Sequence, residues 1–146
     1  MSTKEEDFPS LAGCDWQQTS DPDPTYNCIA YAAGRTDVYW WPDDYPEPES
    51  DYWPAAIPRE ETLSAFSHLF QSLGYEICDD GDFELSYEKV TIYAKGDSPT
   101  HVARQLENGE WTSKLGPLED IRHDSPAALS GPCYGEPARY LRRRRT

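Results

Sequence analysis

Apolar positions along the chain fall into three readable patterns, and each predicts an element. From Leu63 onward they recur at three- and four-residue spacing, as Leu63, Phe66, Phe70 and Leu73, which draws one apolar stripe along a helix. Pro58 suits a first-turn position, Glu60 and Glu61 suit the positive end, and Gly74 is a stop, so this helix is expected to open at Pro58 and close before Gly74. His68 falls off the stripe and reads as a solvated surface residue. The second pattern is the strict alternation of Glu88-Lys89-Val90-Thr91-Ile92-Tyr93-Ala94, with Val90, Ile92 and Ala94 on one face of a strand. The third is the short apolar run Cys28-Ile29-Ala30-Tyr31-Ala32-Ala33, preceded by Thr25 and Asn27, either able to cap a helix, and closed by Gly34. A helix this short is held only by packing of Ile29, Tyr31 and Ala32.

A hairpin signal organises the later part of the chain. Thr100-His101-Val102-Ala103-Arg104-Gln105-Leu106 reads as a strand, and Asn108-Gly109 as the two-residue turn joining it to Trp111-Thr112-Ser113-Lys114-Leu115. With that turn Leu106 faces Trp111, Gln105 faces Thr112 and His101 faces Gly116. His101 then shares a face with Ala103, Gln105, Thr112 and Lys114, with Trp111 on the other. Gly74 to Cys78 leads into a short strand, Asp79-Asp80-Gly81-Asp82 makes a turn, and Leu118 to His123 reads as a helical turn. The order is helix, aromatic loop, helix, then an antiparallel sheet of three or four strands, so the expected class is α+β. Residues 1–23 are an irregular lead-in, 24–141 a single domain and 142–146 a basic tail.

Charge changes the picture. The 146-residue chain carries a net charge of −14, and Arg139 with Arg142 to Arg145 hold five of its thirteen basic side chains. The body is therefore more acidic still, which repels nucleic acid and anionic membrane and attracts basic protein partners. The run Arg142-Arg143-Arg144-Arg145 reads as an exposed frayed tail, with a nucleic-acid or phosphate contact as the other option. No apolar run reaches the ~18 residues of a membrane span and the N-terminus has no export-signal pattern, so a cytoplasmic protein is expected. Cys14, Cys28, Cys78 and Cys133 form no C-x-x-C pair, and four thiols are expected. Between residues 37 and 51 six acidic side chains are interleaved with aromatics and prolines. That stretch reads as a loop folding its rings over the core or, more sharply, as a substrate wall of Trp40, Trp41 and Trp53.

The candidate chemistry centres on Cys28. A cysteine at a helix start meets unpaired N–H groups that favour its thiolate, and a histidine on a later strand supplies a base. His101 is that base candidate, and His123, without a strand context, is the lesser one. Asp120 is preferred as the group orienting the imidazole, with Gln105, Thr112 and Glu119 as alternatives. Gln17 or Gln18 can offer the oxyanion donor beside the backbone N–H of Cys28.

The strings YNCIAYAAG, WWP, EKVTIYA, THVARQL and WTSKLG resemble an uncharacterised bacterial family that shares an N-C-I-A helix and a T-H-x-A-R-Q-L strand, over about residues 24 to 141. More distantly the chain is similar to papain-like cysteine hydrolases, including NlpC/P60 and CHAP amidases. In those a cysteine heads a helix and a histidine begins a strand of the following sheet. The resemblance implies a papain-like fold, with Cys28 and His101 as a catalytic pair acting on an amide or thioester, and no metal or organic cofactor. The expected substrate is a peptide or amide of basic character. The competing expectation is a non-enzymatic acidic binding or inhibitor protein that mimics nucleic-acid charge, in which Cys28 and His101 are core residues.

Overall fold

The computed structural model describes residues 8–23, 25–42, 53–54, 56–115 and 119–145. Its centre is one sheet of seven strands, β1 (Trp16–Gln18), β2 (Glu76–Cys78), β3 (Tyr87–Lys95), β4 (Ser98–Gln105), β5 (Trp111–Lys114), β6 (Asp120–His123) and β7 (Glu136–Arg144). The strands lie in the order β1-β6-β5-β4-β3-β7-β2, and every neighbouring pair is antiparallel. Two short helices, α1 (Cys28–Ala32) and α2 (Leu63–Ser72), pack on one face. The expected α+β, papain-like arrangement is thereby corrected: this is a β-rich fold in which the helices are a minor cover.

The uncounted strands have polar inward positions. β6, expected as a helical turn, pairs along its whole length with β5, and its buried positions include Asp120 and His123, so no apolar alternation announces it. β7 contains most of the arginine run expected as a tail. It lies between β3 and β2, with Leu141 opposite both Val90 and Ile77. Arg142 donates to Glu76 at 2.8 Å and Arg145 to Glu88 at 3.2 Å, while Arg143 binds Glu88 and stacks 4.5 Å over the Tyr75 ring. Cross-strand charge pairing and cation–π contact do here what alternating apolar residues do in β3.

The two faces carry separate cores. Val90, Ile92, Val102 and Leu141 meet α1 and α2 on one, together with Trp40 and Trp53. Tyr93, Ala103, Trp111 and Ile121 lie on the other, covered by Phe8 and Leu11 of the N-terminal 3₁₀ turn and by Ala128 and Leu129 of a second one. Strict alternation along β3 and β4 sends neighbouring residues to opposite cores. Phe66 and Phe70 of α2 are fully buried, each contributing about 2–3 kcal/mol by removal from water. α2 begins at Leu63 rather than Pro58 because the Thr62 side chain accepts from Ala65 N at 3.1 Å and so fixes the cap there.

The β4–β5 hairpin differs from expectation by one residue. Leu106 N donates to Glu110 O at 2.7 Å and Gly109 N to Leu106 O at 3.0 Å, so the loop holds three residues, with Gly109 in the left-handed region at φ 91°. Gln105 then pairs with Trp111 and Arg104 with Thr112. A slip of one residue turns every β5 side chain over. Trp111 joins the face of His101, while Thr112 and Lys114 turn toward α1, where Thr112 Oγ1 meets the Tyr31 hydroxyl at 2.9 Å and Lys114 Nζ lies 4.7 Å over the Tyr26 ring. Among the described residues no helix is long and apolar enough to cross a membrane.

Candidate functional site

Cys28 opens α1 as the sequence implies. The Asn27 side chain caps the helix by accepting from Ala30 N at 3.2 Å, and the same amide bonds both backbone groups of Trp40, accepting at 3.1 Å and donating at 2.7 Å. Gly34 continues the chain beyond the helix at φ 91°. This fastening presses the helix start onto β4 and buries the sulfur, which belongs to the α1/α2 core. Burial pushes the Cys28 thiol up to about 11. The opposing influences, N–H groups of Val102, Ile29 and Cys28 itself and the charge of Lys114, are the weaker ones. The expectation that a helix start activates this thiol fails on the size of the desolvation effect, which favours the neutral thiol near pH 7.

His101 is equally buried, on β4, one position before Val102 and so directed to the other face. Its ring stacks on Tyr134 at 4.2 Å with the planes 7° apart, and Tyr93 meets it edge-on at 5.2 Å. Neither ring nitrogen has a hydrogen-bond partner among the described residues, so no thiol–imidazole bond to Cys28 exists. Burial, reinforced by the nearby His123, holds the imidazole well below its ordinary pKa and keeps it neutral.

The remaining expected site residues scatter. Asp120 lies on β6 and accepts from the Tyr26 hydroxyl at 2.8 Å, facing Lys114 and α1 rather than His101. Burial raises its carboxyl despite those contacts. Gln17 and Gln18 are exposed on the edge strand β1, three strands from β4, and Gln18 Nε2 donates to Ser20 O at 2.9 Å. Trp40 and Trp53 are buried, Trp53 packs on Phe66 at 5.4 Å and donates to Pro58 O, and half-buried Trp41 meets Phe66 edge-on at 5.7 Å. These rings act as a core wall around α2. The acidic part of their loop, residues 43–52, lies outside the described residues.

One buried polar pair escaped the sequence reading. His123 on β6 donates through Nδ1 to Ser125 O at 2.8 Å, which makes Nδ1 the protonated nitrogen, and accepts through Nε2 from the Ser113 hydroxyl at 2.8 Å. Burial lowers its pKa to about 4. Nothing in the local pattern announced the pair, since Ser113 and His123 meet only across the β5–β6 pairing. Both partners are fully buried, so the pair knits β5 to β6 and to the following turn.

Neither the curated proteins nor the solved structures include a match to this chain. A family model described as Domain of unknown function (DUF7689) matches residues 17–142, and the chain belongs to that family.

Proposed function

We propose that this protein is a non-enzymatic binding protein whose acidic surface engages a basic protein partner. The observation that carries this reading is where the cations go. Among the described residues Arg35, Lys89, Arg122, Arg142, Arg143 and Arg145 are each ion-paired with carboxylates of the chain itself. A chain of net charge −14 that ties these six cations to its own carboxylates still has surplus carboxylates for solvent, and the field met by an approaching molecule is negative. Arg142, Arg143 and Arg145 of the arginine run belong to this internal pairing, which weighs against a phosphate or nucleic-acid contact there. The hydrolase reading needs an accessible thiolate bonded to an imidazole, and the burial of Cys28 and His101 in different cores lends it no support.

The test is anisotropy of a labelled arginine- and lysine-rich peptide titrated with the whole chain. Binding is expected at about 0.1 M salt and lost toward about 1 M, where the screening length falls from about 10 Å to about 3 Å. Absence of binding at the lower salt, or binding indifferent to salt, would overturn the reading.

A further inference from the structure

An open cavity of about 420 Å³ lies on the face of the sheet opposite α1 and α2. The loop carrying Asp80, Gly81, Asp82 and Phe83 forms one wall, Asp124 to Ala127 another, and Gln105, Trp111 and Tyr140 the floor. Gly81 packs closely there: a Cβ on it would sit 3.1 Å from Tyr140 and 3.2 Å from Trp111, so a side chain would need both rings to give by a few tenths of an ångström. The floor holds an unanswered acceptor. Gln105 is 1% exposed, its Nε2 donates to Gly81 O at 3.1 Å, and its Oε1 has no partner among the described residues.

We propose that this cavity receives an arginine side chain of the basic protein partner, an inference that rests on the acidic-binder reading and names its anchor. Three features select that group. A buried carbonyl without a donor costs about 1–3 kcal/mol, and a guanidinium brings N–H groups that a quaternary ammonium lacks. Asp82 and Asp124 supply negative charge at the rim; the Asp82 carboxylate makes no bond among the described residues, whereas Asp80 is engaged by Lys89. Phe83 and the half-buried Tyr140 offer ring surface on which a planar guanidinium stacks more readily than the compact ammonium of lysine. The surroundings favour a protein over a free amine. Phe83 is 49% exposed and Leu85 83% exposed, and Phe83 also borders a neighbouring hollow of about 320 Å³ with Leu85 and Tyr87. An apolar side chain next to the arginine would cover them.

The experiment is an NMR titration of the whole chain with four peptides that place arginine, citrulline, lysine or trimethyl-lysine beside a leucine. The arginine peptide is expected to shift the Gln105 side-chain amide, the Trp111 indole N–H and the amides of Gly81 and Asp82. The citrulline and trimethyl-lysine peptides should bind at least about tenfold more weakly, the scale of one lost charge-assisted hydrogen bond. Asp82→Asn with Asp124→Asn, both exposed, should weaken arginine binding by a similar factor, with the unshifted remainder of the spectrum reporting the native fold. Gln105→Met should remove the preference for arginine over trimethyl-lysine. Glu60→Gln with Glu61→Gln, outside the cavity, is the control. Salt-sensitive binding that ignores the cavity variants, or shifts confined to other residues, overturns the cavity and leaves the acidic binder standing. No binding by any cationic peptide overturns both.

Discussion

Acid should destabilise this protein through its two buried histidines. His123 has an ordinary pKa near 6.5 when unfolded and about 4 when folded. Its folded value is depressed, so the stability it contributes is complete above pH 6.5 and is lost as the pH falls toward 4, because only the unfolded chain takes up the proton. Between pH 7 and pH 5 this one residue removes about 2 kcal/mol, a substantial part of the 5–15 kcal/mol typical of a domain. His101 acts in the same direction, since both of its nitrogens are unpartnered and charging it would place a cation between Tyr93 and Tyr134. The assay is urea unfolding at pH 7, 6 and 5, in wild type and in His101→Phe. The variant keeps a stacked ring and removes two orphaned polar atoms, about 1 kcal/mol or more each, offset in part by the added volume of phenylalanine. It should match or exceed wild type at pH 7 by about 1 kcal/mol and lose less on acidification, retaining only the His123 slope. A wild-type stability that is flat from pH 7 to pH 5, or a variant as acid-sensitive as wild type, would refute the reasoning.

Two substitutions probe what holds the elements in place. Asn27→Ala removes the α1 cap and both bonds to Trp40, and should cost about 2–3 kcal/mol in chemical denaturation; a loss under about 0.5 kcal/mol would mean that packing alone positions α1. Gly135→Ala puts a Cβ 2.2 Å from the Ala94 carbonyl oxygen at φ 76°, so it should cost more than about 3 kcal/mol or prevent accumulation of folded protein. A near-native melting temperature would contradict that geometry.

What could be read beforehand were the periodicities that local packing enforces. The α2 stripe, the alternation of β3 and the bracketing of α1 by Asn27 and Gly34 each rest on interactions within a few residues. The failures arose where the deciding interaction lies across the sheet. Asn108-Gly109 serves a two-residue turn and also a three-residue loop with Gly109 left-handed, and only the pairing of Gln105 with Trp111 tells them apart. β7 was hidden because Arg142 and Arg143 find their carboxylates on β2, β3 and the intervening loop, 55 or more residues away in sequence. At the candidate site the place of Cys28 on its helix was legible, but its burial was not, since that depends on how β4 lies against α1. Asp80 and Asp82, which line the cavity together with Asp124, showed in the sequence only as part of a turn. Their convergence over Gln105 needed the fold.

The account turns on Cys28 being a core residue, and the direct measurement is its rate of alkylation in the native protein. At neutral pH, with iodoacetamide and mass-spectrometric mapping, exposed Cys133 should react readily, Cys14 and Cys78 more slowly, and Cys28 slowest of the four, catching up only when the chain is unfolded. If Cys28 instead reacts first and His101→Ala slows it, the thiol is an activated nucleophile and the binding-protein account is wrong.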